Sequence, residues 1–308
     1  MMKQLAAMLL ALLLVPCAVL AEEAAVSPLP FDFSAGPVAD PAHFTDSSYE
    51  DASLHVQMER VWVGNAHFNV ARVKIADASQ LRTALAAPFG QKKTNKISTI
   101  ARNNNAVVAI GGDYFGNEEG GYVVRMTETY RKKPLKSRDM LITDMNGDFH
   151  IIKNSDAEQL KALVQGETPI VNVFNFGPAL VIDGALQEMP EKYNYNIRGL
   201  EPRCAIGQVG PLEYVLVVVD GGKDRPVTIT APDGTKQKST GCTVETLAQF
   251  MLDQGCLQAY NLDGGNSALM VFNGENYSQK SFSAERSVSD IIYFATAIDF
   301  GLDGADKE

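Results

Sequence analysis

Apolar positions along the chain fall mainly into alternating or continuous β-type runs, with few helical stretches. The runs His67–Ile75 and Ile142 onward predict strands, as does Ala268–Phe272, which ends at an Asn273-Gly274 turn. A final strand is expected over Ile291–Ala297. Short helices are expected over Ser79–Ala86 and Ala157–Val164. Val244, Leu247, Ala248 and Met251 recur at helical spacing, and Gly255 stands where a helix C-cap belongs. Asp144-Met145-Asn146-Gly147-Asp148 superficially resembles a calcium loop, but Gly147 is misplaced and Ser155 stands where the bidentate Glu is needed. A hairpin turn running into Phe149-His150-Ile151-Ile152 is the expected structure there.

Three apolar runs share an ending. Ala106–Ile110 breaks into Gly111-Gly112-Asp113-Tyr114-Phe115, Tyr214–Val219 into Asp220-Gly221-Gly222, and Ala259–Leu262 into Asp263-Gly264-Gly265-Asn266-Ser267. Continuous apolar runs suit strands covered on both faces. Glycine beside each Asp permits positive φ and close approach of a ligand to the backbone. If these strands neighbour one another in parallel, the three acidic loops converge on one pocket at their carboxyl ends. The alternative is an Asx-type turn after each strand, and Lys223 and Asp224 give the Asp220 loop that appearance most strongly. Tyr114 and Phe115 offer either a stacking platform for a sugar ring or buried aromatic packing.

Charge and chain ends narrow the setting. Lys3, the apolar stretch Leu5–Val15 and small residues up to Ala21 form the pattern of a secretory signal peptide over residues 1–21. The alternative is a retained anchor, although the run is short against the roughly 20 residues of a membrane span. No other segment is apolar enough to cross, so the mature chain is expected to contain no membrane span. Residues 22–48 are aperiodic and rich in Pro, Ala, Asp and Ser, as in a flexible spacer. Residues 49–300 read as one domain and 301–308 as a tail. The formal charge of -10 argues against nucleic acid as a partner. A few arginines in a cleft can still attract an anion.

Export permits disulfides, yet a helix of about 12 residues between Cys242 and Cys256 is roughly 18 Å long. A disulfide needs Cα atoms about 4.4–6.8 Å apart. Cys204, Cys242 and Cys256 are therefore expected as buried free thiols, and no Cys–His pair or Cys-x-x-Cys suggests a nucleophile or zinc site. Cationic candidates are Arg203 before a short apolar run, Arg286 after Glu285, and Arg125 after Val123-Val124. Each can grip phosphate or carboxylate bidentately, or pair with a structural carboxylate.

Taken together, these motifs resemble the phosphodiester glycosidase family. The matching stretches are Ala109–Phe115, Phe176–Gly184, Pro202–Gly207, Val219–Gly221, Gly241–Ala248 leading to Asn261–Ser267, and Glu285-Arg286. Their order and spacing agree from roughly Tyr49 to Ala297. Three departures stand out: Gly112 where the family commonly has Asn, Asn266 where a third Gly is usual, and Gly222 where Arg often follows Asp-Gly.

The expected fold is α+β, a mixed β-sheet core with flanking helices in a single catalytic domain. The resemblance implies hydrolysis of a sugar joined through its anomeric carbon to a phosphodiester, in a secreted or cell-envelope protein acting on a sugar-phosphate-containing glycan or glycoconjugate. A phosphate leaves readily as an anion, so Arg203 and Arg286 are expected to clamp it, with Asp263 as base or nucleophile at the anomeric carbon and Asp113 with Asn261 positioning the sugar, the two catalytic Asp roles being exchangeable. Tyr114, Phe115, Arg125, Asn261, Gly264, Gly265, Asn266, Ser267 and Glu285 complete the expected substrate-binding set. The motifs name no cofactor, and the loops at Asp113 and Asp263, with only oxygen ligands, leave calcium open as one. Two other classes share these residues: a non-catalytic glycan-binding protein, and a phosphodiesterase attacking phosphorus.

Overall fold

The computed structural model describes residues 25–280 and 284–302. The signal-peptide segment and residues 303–308 of the tail lie outside the described residues.

The core starts from an alternation that the sequence presents as continuous apolar runs. In strand Glu213–Asp220, Tyr214, Leu216 and Val218 face one apolar cluster while Val215, Val217 and Val219 face another. Both faces are dry because the strand sits inside an eight-stranded sheet with packing on each side. One face meets a five-stranded sheet that contains Val108–Gly111, Met270–Phe272 and Asp290–Phe294. The other face carries the helix Val244–Asp253, through Val244, Leu247, Ala248 and Met251. A second five-stranded sheet, with Met140–Asp144 and Ile170–Phe174, is covered by the helix Ala157–Val164.

Sheet dominates this α+β architecture, with three α-helices among the described residues. The expected mixed sheet is corrected: every pairing between named strands is antiparallel. Layering of sheet on sheet, without parallel crossovers, is what buries both faces.

The helices Ala157–Val164 and Val244–Asp253 form where expected, the second starting at the Thr243 cap and ending before Gly255 at φ 85°. Cys204, Cys242 and Cys256 are buried free thiols. The Asp144–Asp148 segment is the expected hairpin turn, with Asp144 Oδ1 accepting from the Asn146 and Asp148 amides.

Ser79–Ala86 is a correction. A single 3-10 turn, Ala78–Gln80, leads into strand Leu81–Leu85, which pairs with Asp290–Phe294. Long-range pairing overrides the helical spacing of Leu81, Ala84 and Leu85. Within that strand Arg82 is fully buried, and its guanidinium donates to the carbonyls of Pro30, Asp32 and Ser34 at 2.9–3.0 Å. The stretch expected as a spacer thus supplies the acceptors for a buried cation. Ser27 and Leu29 also donate to Ala297 O and Ser79 Oγ.

Candidate active site

The register of the large sheet brings opposite charges to one edge. Strand Arg203–Gly210 lies between Glu213–Asp220 and Gln258–Leu262, with Arg203 opposite Val219 and Cys204 opposite Leu262. Its two neighbours therefore run parallel to each other and finish beside the start of Arg203–Gly210. Arg203 is in this way set next to the loop that carries Asp263.

Strand Val108–Gly111 belongs to a different sheet, so the three acidic strand ends are not parallel neighbours as expected. Two of the loops still meet, because Asp263 N–H donates to Gly112 O at 3.2 Å. The third does not join them. Asp220 is fully buried and accepts from His67 Nδ1 at 2.7 Å, Asn69 Nδ2 at 2.8 Å and the Gln279 amide at 3.0 Å.

The loop after Leu262 is held tightly. Gly265 N–H donates to Pro202 O at 2.8 Å, and a Cβ on Gly264 would stand 2.7 Å from that same oxygen. Only glycine fits there, so the loop is pinned against the residue preceding Arg203. Ser267 is buried beneath this loop.

A cleft of about 370 Å³ opens at this edge, within the range of small-ligand sites. Asp263, Arg203, Arg286, Tyr114, Asn261 and the Gly264-Gly265 backbone all line it. Burial pushes the Asp263 carboxyl up to about 6; the nearby Ser267 hydroxyl and the Arg286 charge oppose this, and Asp113 adds to it.

The cations are arranged differently from ordinary structural arginines. Arg203 is 4% exposed, and burial lowers its guanidinium below the usual range. Nε donates to Cys242 O at 3.0 Å and Nη2 to Asn196 O and Gly199 O at 2.9 and 2.8 Å. Arg286 is exposed and lies 5.8 Å from the Tyr114 ring centroid. Among the described residues, no carboxylate lies within ion-pair distance of Arg203 or Arg286. Two guanidinium groups thus reach this cleft without a direct ion pair among the described residues, while Asp263 acts on Arg286 and Glu201 on Arg203 from farther away.

Other expected residues stand elsewhere. Asp113 is 5% exposed and does not line the cleft. Its Oδ1 accepts from the Phe115 amide and meets Arg125 Nη2 at 2.9 Å, and its Oδ2 accepts from the Asn175 amide. Arg125 has no exposed surface; besides Asp113 it binds Asp290 through Nε at 2.7 Å and packs 4.1 Å from the Phe174 ring centroid. Arg125, expected to bind substrate, therefore sits behind the cleft and does not line it. Glu285 accepts from Ser98 N at 2.8 Å and Ser98 Oγ at 2.7 Å, tying the segment before Arg286 to the first turn of the helix Ile97–Asn103. Phe115 lines a neighbouring cleft, and Asn266 is exposed at the outer side of its loop.

The residues do not fit a calcium cage. Both Asp113 oxygens are engaged by amides and a guanidinium, and no group of three His, Cys, Asp or Glu side chains among the described residues could hold a metal.

The Gly112 departure has a steric cause. A Cβ at residue 112 would stand 2.4 Å from Asp290 Oδ1, so the Asp290 carboxylate occupies the space a side chain there would take. Asp290 was invisible as a site neighbour in the sequence, lying inside the final apolar run. Arg138 was also missed: it lines the cleft, pairs with Glu118 at 2.7 Å and sits in a segment with no motif. Tyr195 lines the cleft too, accepting from Asn261 Nδ2 at 2.7 Å.

Comparison with known proteins places this arrangement. The catalytic domain of zebrafish N-acetylglucosamine-1-phosphodiester alpha-N-acetylglucosaminidase, auto-inhibited by its pro-peptide, shares the fold at a TM-score of 0.57 and 18% identity, over 88% of this chain and 98% of that one. A hypothetical protein from Synechocystis aligns at 0.51 and 17% identity, over 79% of this chain and 62% of that one. The SPbeta prophage-derived uncharacterized protein YomE of Bacillus subtilis (strain 168) is 24% identical over 213 residues, 66% of this chain and 30% of that protein. The chain therefore spans less than a third of that relative's length. Among the described residues, no helix is long and apolar enough to cross a membrane. The phosphodiester glycosidase profile matches residues 104–295, which take in Asp113, Arg203, Asp263 and Arg286, and the chain belongs to the phosphodiester glycosidase family.

Proposed function

We propose that the protein is an exported hydrolase that releases a sugar from a glycosyl phosphodiester in a cell-surface or extracellular glycoconjugate. The observation that carries this reading is that Arg203 and Arg286, neither in a direct ion pair among the described residues, line the same cleft as Asp263. Ordinary glycosidases need a carboxylic acid to protonate a poor leaving group. A phosphate monoester leaves readily as an anion, and cations that hold it lower the barrier instead.

In this reading Arg203 and Arg286 grip the phosphate, and their charge rises in value as the leaving oxygen becomes anionic. Asp263, once ionised, attacks the anomeric carbon or takes a proton from the attacking water. The pinned Gly264-Gly265 backbone and the Asp263 amide bond to Gly112 O keep it aimed. Tyr114 and Asn261 border the sugar. Asp113 acts from below, through Arg125 and through its charge on Asp263, and not as a group touching substrate. Export rests on the pattern of residues 1–21.

The test is turnover on a panel of glycosyl 1-phosphodiesters, teichoic-type polymers included. Release of sugar by the wild type, abolished in folded Asp263→Ala, is the expected result. Binding without turnover across the panel would overturn the assignment.

A further inference from the structure

Beside the candidate active site lies a second cleft of about 530 Å³, larger than the first. The loop Tyr114–Glu118 is the wall between them: Tyr114 faces the first, Phe115 and Gly116 face the second, and Glu118 borders both. The two sequence-adjacent aromatics are thus divided between two sites.

The second cleft has its own chemistry. Phe89 stacks with Phe115 at 5.4 Å between centroids and with Tyr130 at 4.6 Å. Arg131 lies 5.5 Å from the Phe89 ring centroid and is fixed by the carbonyls of Phe115 and Gly120. Lys92 and Lys93 line the rim, exposed, and make no hydrogen bond or ion pair with any described residue. Lys92 is held at φ 50°, a conformation rare for a long side chain. Glu118 is neutralised by Arg138 at 2.7 Å, leaving Glu119 against three cations. On a chain of formal charge -10, this is a local reversal of sign next to the site of bond cleavage.

We propose that the second cleft binds the adjoining sugar-phosphate unit of a polymeric substrate, with aromatic rings against the sugar and Lys92, Lys93 and Arg131 against its phosphate. This rests on the phosphodiester glycosidase reading and deepens it: the substrate is a chain of sugars joined by phosphodiesters, not a single terminal sugar on a small alcohol. Aromatic rings offer apolar faces to sugar C–H groups, and clustered cations select an anionic repeat over a neutral glycan.

The experiment measures binding to Asp263→Asn protein by calorimetry, with turnover by the wild type alongside. The probes are N-acetylglucosamine 1-(methyl phosphate), a hexamer of N-acetylglucosamine 1-phosphate units, and neutral chitohexaose. The hexamer is expected to bind about tenfold more tightly than the single unit, the scale of two or three exposed ion pairs. Adding Lys92→Glu and Lys93→Glu should remove that gain, leave single-unit binding and turnover unchanged, and leave the melting temperature unchanged. A hexamer without advantage, an advantage that survives the charge reversal, or equal binding of chitohexaose overturns the proposal. Failure of the underlying reading shows separately, as absent turnover of the single unit while the hexamer's advantage persists.

Discussion

Replacing Asp263 with Asn should move activity and stability in opposite directions. The folded protein holds this carboxyl at about 6, against 3.8 for the free side chain, because burial disfavours its charge. At about 1.4 kcal/mol per pH unit, that difference sets a ceiling of about 3 kcal/mol by which the ionised Asp opposes folding at pH 8. Asp263 is only partly buried, and Asn forfeits the attraction of Arg286, so about 1–2 kcal/mol is the expected gain. For a domain of this size that is a rise of about 2–8 °C in melting temperature. The pH dependence carries the sign. A raised folded value means the wild-type contribution is complete below about 4 and fades as pH climbs through about 6. The advantage of Asn should accordingly be present at pH 8 and vanish at pH 4. Loss of a positioned base or nucleophile costs about 10²–10⁴-fold in turnover. Paired thermal melts at pH 4 and 8, with initial rates at pH 7, test both halves. A melting temperature at pH 8 that is unchanged or lower, or a gain of equal size at both pH values, would refute the reasoning.

Three further outcomes follow from the same network. Turnover should rise with pH along a limb centred near 6, and Arg286→Gln should shift that limb upward while raising KM, since Arg286 favours the ionised Asp263; a rate–pH series on both proteins checks this. Arg125→Met should cost about 3–5 kcal/mol in urea unfolding, because it strands the buried carboxylates of Asp113 and Asp290, and the loss should shrink as pH falls and Asp290, whose carboxyl burial already raises, protonates. Gly112→Asn, which restores the residue common in the family, should lose about 1–3 kcal/mol by the same measurement, because its Cβ meets Asp290 Oδ1 at 2.4 Å.

Much of this site was legible because its chemistry is local. The Asp263 loop advertises itself by paired glycines between two apolar strands, and Gly264 is glycine for a reason the structure makes concrete, its approach to Pro202 O. Arg203 was legible through its place at a strand start. What stayed hidden depends on contacts between distant segments. Nothing around Arg125 distinguishes a phosphate ligand from a cation locked between two carboxylates, one of them 165 residues away. Arg82 reads as one charge in a helical pattern, whereas its carbonyl partners at Pro30, Asp32 and Ser34 come about 50 residues earlier in a stretch without periodicity. Arg138 carries no motif, and it lines the cleft beside Glu118, its partner from 20 residues earlier. Asp113 shares the Gly-Gly-Asp pattern of a ligand loop, but its oxygens are already satisfied.

The central claim is that water attacks the sugar, while phosphate leaves between Arg203 and Arg286. Turnover of N-acetylglucosamine 1-(methyl phosphate) in oxygen-18 water, read by mass spectrometry of both products, tests it most directly. Label in the sugar's anomeric hydroxyl and none in methyl phosphate is the predicted result. Label in the phosphate product would mean attack at phosphorus and would contradict the account.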